Sequence, residues 1–173
     1  MSDIQVFKFK FVLLGESAVG KTSLARAFVS GQFAMDYKPT IGSNIFMHKV
    51  SISNNISVSV ALFDIAGQEK WVRMRHIYYE GAQAAFLVGD VTRERSFEDL
   101  ANFWYPDFIK YCEGKPVIVL ANKNDLESKT EYNIIENVAK KINAVDIVYT
   151  SAKTGENCDE ALRKLVKICI NEG

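Results

Sequence analysis

The chain of 173 residues lacks an excess of either charge, because 21 lysines and arginines balance 21 aspartates and glutamates. A net charge of +0 argues against a strongly basic nucleic-acid surface, although local patches stay compatible with it. No apolar run approaches the ~18 residues that a transmembrane helix needs, and no signal peptide opens the sequence. With 48% hydrophobic and 24% charged residues, the composition is that of an ordinary soluble globular protein.

Cysteine is scarce as well. Cys112, Cys158 and Cys169 are odd in number and show no metal-site spacing, so we expect reduced thiols of an intracellular protein. Cys169 shares an apolar helical face with Leu165 and Val166, and we interpret it as core packing rather than a lipid site. The C-terminal end has no C-a-a-X box and no polybasic run. We therefore expect a cytoplasmic protein that reaches a membrane surface only if a lipidated tail is missing from this sequence.

Strand and helix patterns alternate along the chain, without repeats, low-complexity tracts or linkers. The length favours one domain, residues 1–173. Strands are expected over residues 7–14, 45–52, 56–64, 84–91, 116–121 and 146–149. Helices are expected over residues 23–29, 96–111 and 131–142, with a short helix within 69–80 and a last helix after 157. This order predicts an α/β fold with a six-stranded, mostly parallel sheet, one antiparallel strand on the edge side, and helices on both faces.

Three local signals refine the helices. Ser96 with Asp99 and Asn157 with Glu160 resemble capping pairs at helix starts. Pro106 is expected to bend the helix that contains it.

The segment Gly15 to Thr22 fits the pattern G-x-x-x-x-G-K-S/T and lies between a predicted strand and a predicted helix. In that position, loop N–H groups and the helix start form an anion-binding concavity. Lys21 is expected to reach the terminal phosphates, and the Thr22 hydroxyl to bind Mg²⁺. A glycine loop that binds nothing is the weaker alternative. The candidate phosphate-binding residues are Gly15, Glu16, Ser17, Ala18, Val19, Gly20, Lys21, Thr22 and Ser23.

Further candidate residues lie at the ends of later strands, where ligands of parallel sheets bind. The first of these residues are Asp64, Gly67 and Gln68. Asp64 can hold Mg²⁺, although many such aspartates only cap a turn. Gly67 offers an N–H for a terminal phosphate, and Gln68 can orient an attacking water.

The base is expected to meet the last two strand ends. Asp125 can accept two hydrogen bonds from guanine, whereas adenine offers no matching pair. The Ala152 N–H can donate to the exocyclic oxygen of guanine, and the Lys123 stem can cover the base. The candidate base-binding residues are Asn122, Lys123, Asp125, Ser151, Ala152 and Lys153.

Taken in order, five segments make the chain resemble a small GTPase of the Ras superfamily, a P-loop NTPase G domain, over essentially its whole length. They are GESAVGKT (15–22), YKPTIG (37–42), DIAGQE (64–69), NKND (122–125) and TSAK (150–153). Within the superfamily, residues 66–71, 78–82 and 87–97 are most similar to the Rab branch. Departures include residues 43–46, where Rabs usually show Val-Asp-Phe, Phe63 in place of a common tryptophan, and Ala18 in place of a common glycine.

The resemblance implies a GTP/GDP switch with Mg²⁺, in Rab-like membrane-traffic regulation. It implies that Thr40 binds the metal and senses the terminal phosphate, that Phe33 packs against the guanine edge, and that Tyr37 also binds the nucleotide. Residues 31–45 and 66–80 would be the two switch segments, which would bind effectors, an exchange factor and a GTPase-activating protein, with the chain itself monomeric. The catalytic residues would be Lys21, Thr40, Gly67 and Gln68.

A change of nucleotide is expected to alter how the switch segment 66–80 exposes its apolar side chains to partner proteins. Ile77 and Tyr78 are equally compatible with core packing. This set comprises Trp71, Val72, Met74, Ile77, Tyr78 and Tyr79. We expect Arg73 and Arg75 to be surface groups, which leaves no arginine evident for the leaving phosphate. Turnover should therefore be slow, with a partner's arginine adding about 10³ to 10⁵ in rate.

Two rival functions stay open at this point. One is a module that binds GTP without cleaving it, which the presence of Gln68 disfavours. The other is an ATP-dependent kinase with the same phosphate loop, which would need a lid and an acceptor site that the chain does not evidently supply.

Overall fold

A computed structural model describes residues 4–30 and 41–172, without the side chains of residues 69–71. The strands of this part of the chain form one sheet of order β2-β3-β1-β4-β5-β6. Only the β2–β3 pair is antiparallel among the pairings described, so the predicted fold class and its antiparallel edge strand are confirmed. The strands are β1 (Gln5–Leu14), β2 (Ser43–Ser53), β3 (Ile56–Ile65), β4 (Ala84–Asp90), β5 (Val117–Asn122) and β6 (Asp146–Tyr149).

Helices follow the parallel strands, each near its predicted place. They are α1 (Lys21–Ser30), α2 (Arg75–Tyr79), α3 (Glu94–Asp99), α4 (Tyr105–Ile109), α5 (Tyr132–Lys141) and α6 (Cys158–Glu172). A 3₁₀ turn (Glu69–Met74) precedes α2, and a π-helical turn (Leu100–Trp104) joins α3 to α4. None of the described helices is long and apolar enough to cross a bilayer.

Alternation along β1 divides the core into two layers. Phe11 and Leu13 pack on one face of the sheet with Leu24 of α1 and Leu162 of α6. Val12 and Leu14 pack on the other face, in the layer that contains α3, α4 and α5. These four side chains at the end of β1 are fully buried. A strand covered on both faces has no polar side, which explains the continuous apolar run at the end of β1.

The predicted cap at Ser96 is wrong, because α3 begins two residues earlier, at Glu94. The Ser96 hydroxyl instead donates to Arg93 O at 2.6 Å and accepts the Asp90 N–H at 2.9 Å, both inside the turn. Helix α6 begins directly after Asn157, as predicted, and the Asn157 amide donates to Tyr149 O at 2.8 Å, which ties the start of α6 to β6.

Pro106 acts on the helix through its missing N–H. The Tyr105 N–H donates to Leu100 O, five residues back, in the π-helical turn. Pro106 cannot donate to the Asn102 carbonyl, so the ordinary ladder cannot continue across this point. A widened turn is one of the known ways in which a helix absorbs such a gap.

The three thiols are free and buried, as core packing requires. Cys169 lies on the buried face of α6 beside Leu165 and Val166, which confirms the interpretation of that residue. Burial raises the pKa of Cys158 to about 11 and that of Cys169 to about 12. Because a thiol reacts as its thiolate, these positions are expected to be unreactive near neutral pH.

The β2–β3 hairpin brings two distant segments together at one end of the sheet. Ser43 pairs with Ile65 across the two strands. One step further, the Ala66 N–H donates to Gly42 O at 2.9 Å. The chain therefore enters β2 and leaves β3 side by side.

Candidate functional site

The glycine-rich loop between β1 and α1 is packed so closely that two positions have no room for a side chain. A Cβ on Gly15 would lie 2.3 Å from Val88 O, and one on Gly20 would lie 2.3 Å from Asn122 Nδ2. Their φ angles of +149° and +105° also favour glycine. The loop is therefore pressed against the ends of β4 and β5, which fixes its shape.

Lys21, the first residue of α1, turns its side chain back into this loop. Its Nζ donates to Gly15 O and Glu16 O, each at 2.7 Å, and the residue is buried. Burial lowers the pKa of Lys21 to about 8, partly opposed by Asp64. The charged form of a buried ammonium is poorly solvated, so an anionic ligand placed beside it stabilises that charge.

Asp64, near the end of β3, meets the second residue of α1. The Thr22 hydroxyl donates to Asp64 Oδ2, and Asn44 Nδ2 lies 3.5 Å from the same oxygen. Within residues 4–30 and 41–172, no three His, Cys, Asp or Glu side chains cluster as a metal site. One carboxylate and one hydroxyl suit Mg²⁺, which keeps several waters and shares its remaining positions with phosphates. The donor set therefore fits a magnesium ion bound together with a polyphosphate.

Gly67 follows β3 and touches the loop directly. A Cβ at this position would lie 2.5 Å from Ser17 N and 2.7 Å from Glu16 C. Gln68 is partly buried beside it, and its carbonyl accepts a hydrogen bond from Arg75 Nη2 at 3.2 Å. The segment after β3 is thus in van der Waals contact with the loop after β1.

The ends of β5 and β6 form the other side of the site. Asn122 is buried, and its Nδ2 donates to Val19 O at 3.0 Å, which ties β5 to the loop. The Ser151 hydroxyl donates to Asp125 Oδ1 at 2.6 Å and so orients an exposed carboxylate. The Ala152 N–H lies 3.3 Å from Asn122 Oδ1. Its role toward guanine stays a prediction.

Asp90, the last residue of β4, and Arg93, three residues further on, were missed by the sequence reasoning. Lys123 Nζ bonds Asp90 Oδ2 at 2.6 Å and Ala18 O at 2.8 Å. Burial alone would raise the pKa of Asp90, but hydrogen bonds from Lys123 and Thr92 bring it below its ordinary value. Arg93 reaches the same loop and the same carboxylate. Both positions lie at the carboxyl end of β4, within the Rab-like segment 87–97, so the strand-end rule applied to the other candidates could have indicated them.

The expectation that Arg75 is a surface group is wrong. The residue is 1% exposed, and its guanidinium carbon lies 4.1 Å from the centre of the Trp104 ring. The π-helical turn after α3 supplies this aromatic partner, which no local pattern around Arg75 indicates. Arg73 is exposed, as expected.

The apolar side chains of the 66–80 segment divide into two groups, apart from Trp71, whose side chain lies outside the part of the chain that the structure describes. Val72, Met74 and Ile77 are exposed, whereas Tyr78 is partly buried. Tyr79 is fully buried and donates to Asp107 Oδ2 at 2.8 Å, so its expected presentation to partners is wrong.

Several candidates lie at the margin of the site or beyond the described residues. Ser23 is partly buried in the first turn of α1, and Lys153 is exposed after β6. Phe33, Tyr37 and Thr40 lie outside the described residues, as does most of the segment 31–45. For the others, the ends of β1, β3, β5 and β6 and the loops after them bring the candidates to one edge of the sheet.

Comparisons with known proteins agree with this arrangement. A model of the Ras family matches residues 10–171. The Ras-related protein Rab-2B of Dictyostelium discoideum is 39% identical over 160 residues, covering 90% of this chain and 77% of that protein. Rab-5A of the same organism is 37% identical over 167 residues, covering 94% of this chain and 81% of that protein.

The chain is also similar to a protein that is described as RHO-like rather than as Rab-related. A GTP-binding RHO-like protein of Candida albicans is 34% identical over 148 residues, and the match spans 86% of this chain but 42% of that protein. The described fold, the phosphate loop and these similarities together show that the chain belongs to the Ras family of small GTPases, as a divergent member with Rab-like similarity.

Proposed function

We propose that the chain is a GTP/GDP switch that binds guanine nucleotide with Mg²⁺, slowly hydrolyses GTP to GDP and phosphate, and serves Rab-like regulation of membrane traffic. The observation that carries this proposal is the convergence of the ends of β3 and β5 on the loop that follows β1. Thr22 bonds Asp64, and Asn122 bonds Val19, so the phosphate, metal and base candidates share one site.

The metal would be held by Thr22 and Asp64, with Thr40 proposed as a third ligand. When bound, Mg²⁺ neutralises charge on the phosphate oxygens. Lys21 supplies a buried positive charge, already turned toward the loop by its bonds to Gly15 O and Glu16 O. Close packing of Gly67 on Ser17 supports a role for its N–H at the terminal phosphate.

For hydrolysis, we assign Gln68 the orientation of the attacking water. Within the described residues, Arg75 is buried against Trp104, and this supports slow turnover by the chain alone. A GTPase-activating partner would supply the missing arginine. Effectors and an exchange factor would bind residues 31–45 and 66–80 of a monomeric, single-domain chain in the cytoplasm or at a membrane surface.

For base selection, we assign Asp125 the two hydrogen bonds from guanine. Its contact with Ser151 supports this role, because one carboxylate oxygen is held in place before a base arrives. Adenine would leave the carboxylate unpaired, which costs binding energy.

The hydrolysis step is tested by phosphate release from GTP with Mg²⁺. Gln68→Leu should reduce the rate at least about tenfold, as expected for loss of one water-orienting group, while GDP binding is retained. Gln5→Leu, on the exposed end of β1, is the matched control and should hydrolyse like the wild type. A wild-type rate no faster than that of Gln68→Leu would favour a binding module without hydrolysis.

The nucleotide is tested separately. Native mass spectrometry of the purified chain should show bound GDP or GTP, and excess ATP should not displace labelled GDP. Asp125→Asn should shift preference from guanine toward xanthine nucleotides, because the amide reverses the donor and acceptor pattern. Displacement by ATP as effective as by GTP would contradict the assignment of Asp125.

A further inference from the structure

Two consecutive carbonyls of the phosphate loop are each held by a cation from outside it. Arg93 Nη2 donates to Ser17 O at 2.9 Å, and Lys123 Nζ donates to Ala18 O at 2.8 Å. Both cations are anchored on Asp90, with Arg93 Nε at 3.4 Å and Lys123 Nζ at 2.6 Å from its Oδ2. Asp90 is 1% exposed, so this carboxylate is a fixed point from which both cations reach the loop.

The direction of these carbonyls determines where the loop's donors point. No peptide bond in the described chain is cis, and in a planar trans peptide the C=O and the following N–H point in opposite directions. A Ser17 carbonyl turned toward Arg93 therefore turns the Ala18 N–H away from Arg93. A loop binds phosphates through such N–H groups, so the Arg93 contact orients one of its donors.

The loop needs this support at Ala18. Its φ of +64° is in the left-handed region, which costs an L residue conformational energy that glycine does not pay. Such conformations persist where surrounding contacts over-determine them. Here the peptide units on either side of the 18 position are gripped by Arg93 and Lys123, one on each side.

Arg93 also faces the one carboxylate within the loop. Its Nη1 lies 3.4 Å from Glu16 Oε2. An acidic side chain in a phosphate-binding loop repels a polyphosphate unless a cation offsets it. Arg93 thus contacts a loop carbonyl and the loop's own acid with one guanidinium fork.

We propose that Arg93 is a positioning residue for the nucleotide phosphates, which holds the Ser17–Ala18 peptide in its donor-inward orientation and offsets the charge of Glu16. This inference rests on the proposed nucleotide binding and adds to it a residue that belongs to none of the five segments. Lys123 holds the next carbonyl, but it already lies in one of those segments.

The test compares Arg93→Ala with wild type by the dissociation rate of fluorescent GDP in Mg²⁺ buffer. We expect dissociation about tenfold faster, the scale of losing a hydrogen bond from a charged donor. Affinity for guanosine, measured by competition, should change less than about twofold, because guanosine carries no phosphate. Arg95→Ala is the control: its side chain is 84% exposed and pairs only with Asp99 among the described ion pairs.

Arg93→Lys keeps the charge but loses the fork, and its dissociation rate should fall between wild type and Arg93→Ala. This second variant decides the matter if the alanine variant fails to fold. A wild-type rate of GDP dissociation in either variant would overturn the proposal. An equal loss of affinity for GDP and for guanosine would also overturn it, because Arg93 would then only stabilise the fold. A wild-type chain that retains no GDP would instead overturn the proposed function, and this is measured first.

Discussion

At the scale of single residues, Gly67 shows how tightly the site is assembled. Its α-carbon lies so near the phosphate loop that an added methyl would meet Ser17 N at 2.5 Å and Gly15 O at 2.8 Å. These neighbours are backbone atoms, which cannot rotate away as a side chain would. The space between the two segments is therefore closed to any residue with a Cβ.

Gly67→Ala should consequently reduce GTP hydrolysis by roughly 10- to 100-fold, because a displacement of about 1 Å at a reacting centre has that effect. Affinity for GDP should fall much less. Phosphate-release and GDP-titration assays measure the two quantities. Gly114→Ala is the control, since a Cβ there meets nothing within 4 Å, and its φ of +72° adds a backbone strain that position 67 does not have. Undiminished hydrolysis in Gly67→Ala would show that this contact is not needed.

Arg75 is a second residue whose role is visible only in three dimensions. Its guanidinium lies 4.1 Å from the Trp104 ring centre and 5.1 Å from that of Phe103, and it donates to Gln68 O. Arg75→Met should lower the free energy of unfolding by about 1–3 kcal/mol through loss of the cation–π contact and the hydrogen bond. Urea denaturation measures this change.

Arg73→Met provides the comparison, because Arg73 is exposed on the 3₁₀ turn that precedes α2 and should change stability by less than about 0.5 kcal/mol. Equal effects of the two substitutions would argue against a special contribution of the Trp104 contact.

The sequence predicted the phosphate loop, Asp64, Asn122 and Ser151 as one group because each lies at or just beyond the carboxyl end of a strand. Strand ends of a parallel sheet share an edge, so spacing along the chain translates into proximity. Arg75 follows no such rule, and Arg93 lies three residues after β4 but belongs to none of the five motif segments. Their contacts depend on how α2 and α3 pack, and a long flexible side chain leaves no periodic signal in the sequence.

At the scale of elements, the sequence was accurate for strands and less so for helix starts. The strands β1 to β6 carry continuous or alternating apolar residues, and burial enforces those patterns. Helix α3 begins at Glu94 rather than near Ser96. The Ser96 hydroxyl bonds Asp90 N and Arg93 O, which both precede the helix, and these contacts fix where the helix begins. A capping pattern alone cannot reveal such partners.

Helix α6 carries a pH dependence of its own through Cys158. Burial raises the pKa of this thiol from 9.0 to about 11, so folding favours the protonated form. Its contribution to stability is fully present below pH 9 and is lost as pH rises toward 11. The stability difference between wild type and Cys158→Ala should therefore shrink over this interval.

Urea denaturation at pH 7.5, 9 and 10 measures that difference, and subtracting the variant cancels the other titrating groups. Below pH 9 the wild type should be more stable, because the alanine leaves a cavity. A difference that stays constant across the three pH values would mean that the thiol titrates alike in both states.

At the scale of the whole molecule, ligand binding should be visible as stability. A ligand that binds only the folded state stabilises it by mass action, by about 4 kcal/mol at a thousandfold excess over Kd. GDP with Mg²⁺ should raise the unfolding temperature, and EDTA should reverse much of that rise if Thr22 and Asp64 hold the ion. Calorimetry measures both steps.

ATP at the same concentration is the control, and it should stabilise the chain far less because Asp125 has no pair of donors to accept. A rise with ATP equal to that with GDP would be inconsistent with guanine selection.

The hydrogen bond between the Ala66 N–H and Gly42 O has a mechanical consequence for the whole domain. It ties together two stretches of backbone that are separated by the full length of a hairpin. A displacement of either stretch is transmitted to the other across this bond and the adjoining Ser43–Ile65 pair, without passing along the strands and the turn of the hairpin. We therefore expect a protein that binds one of these two stretches and displaces its backbone to displace the backbone of the other stretch as well.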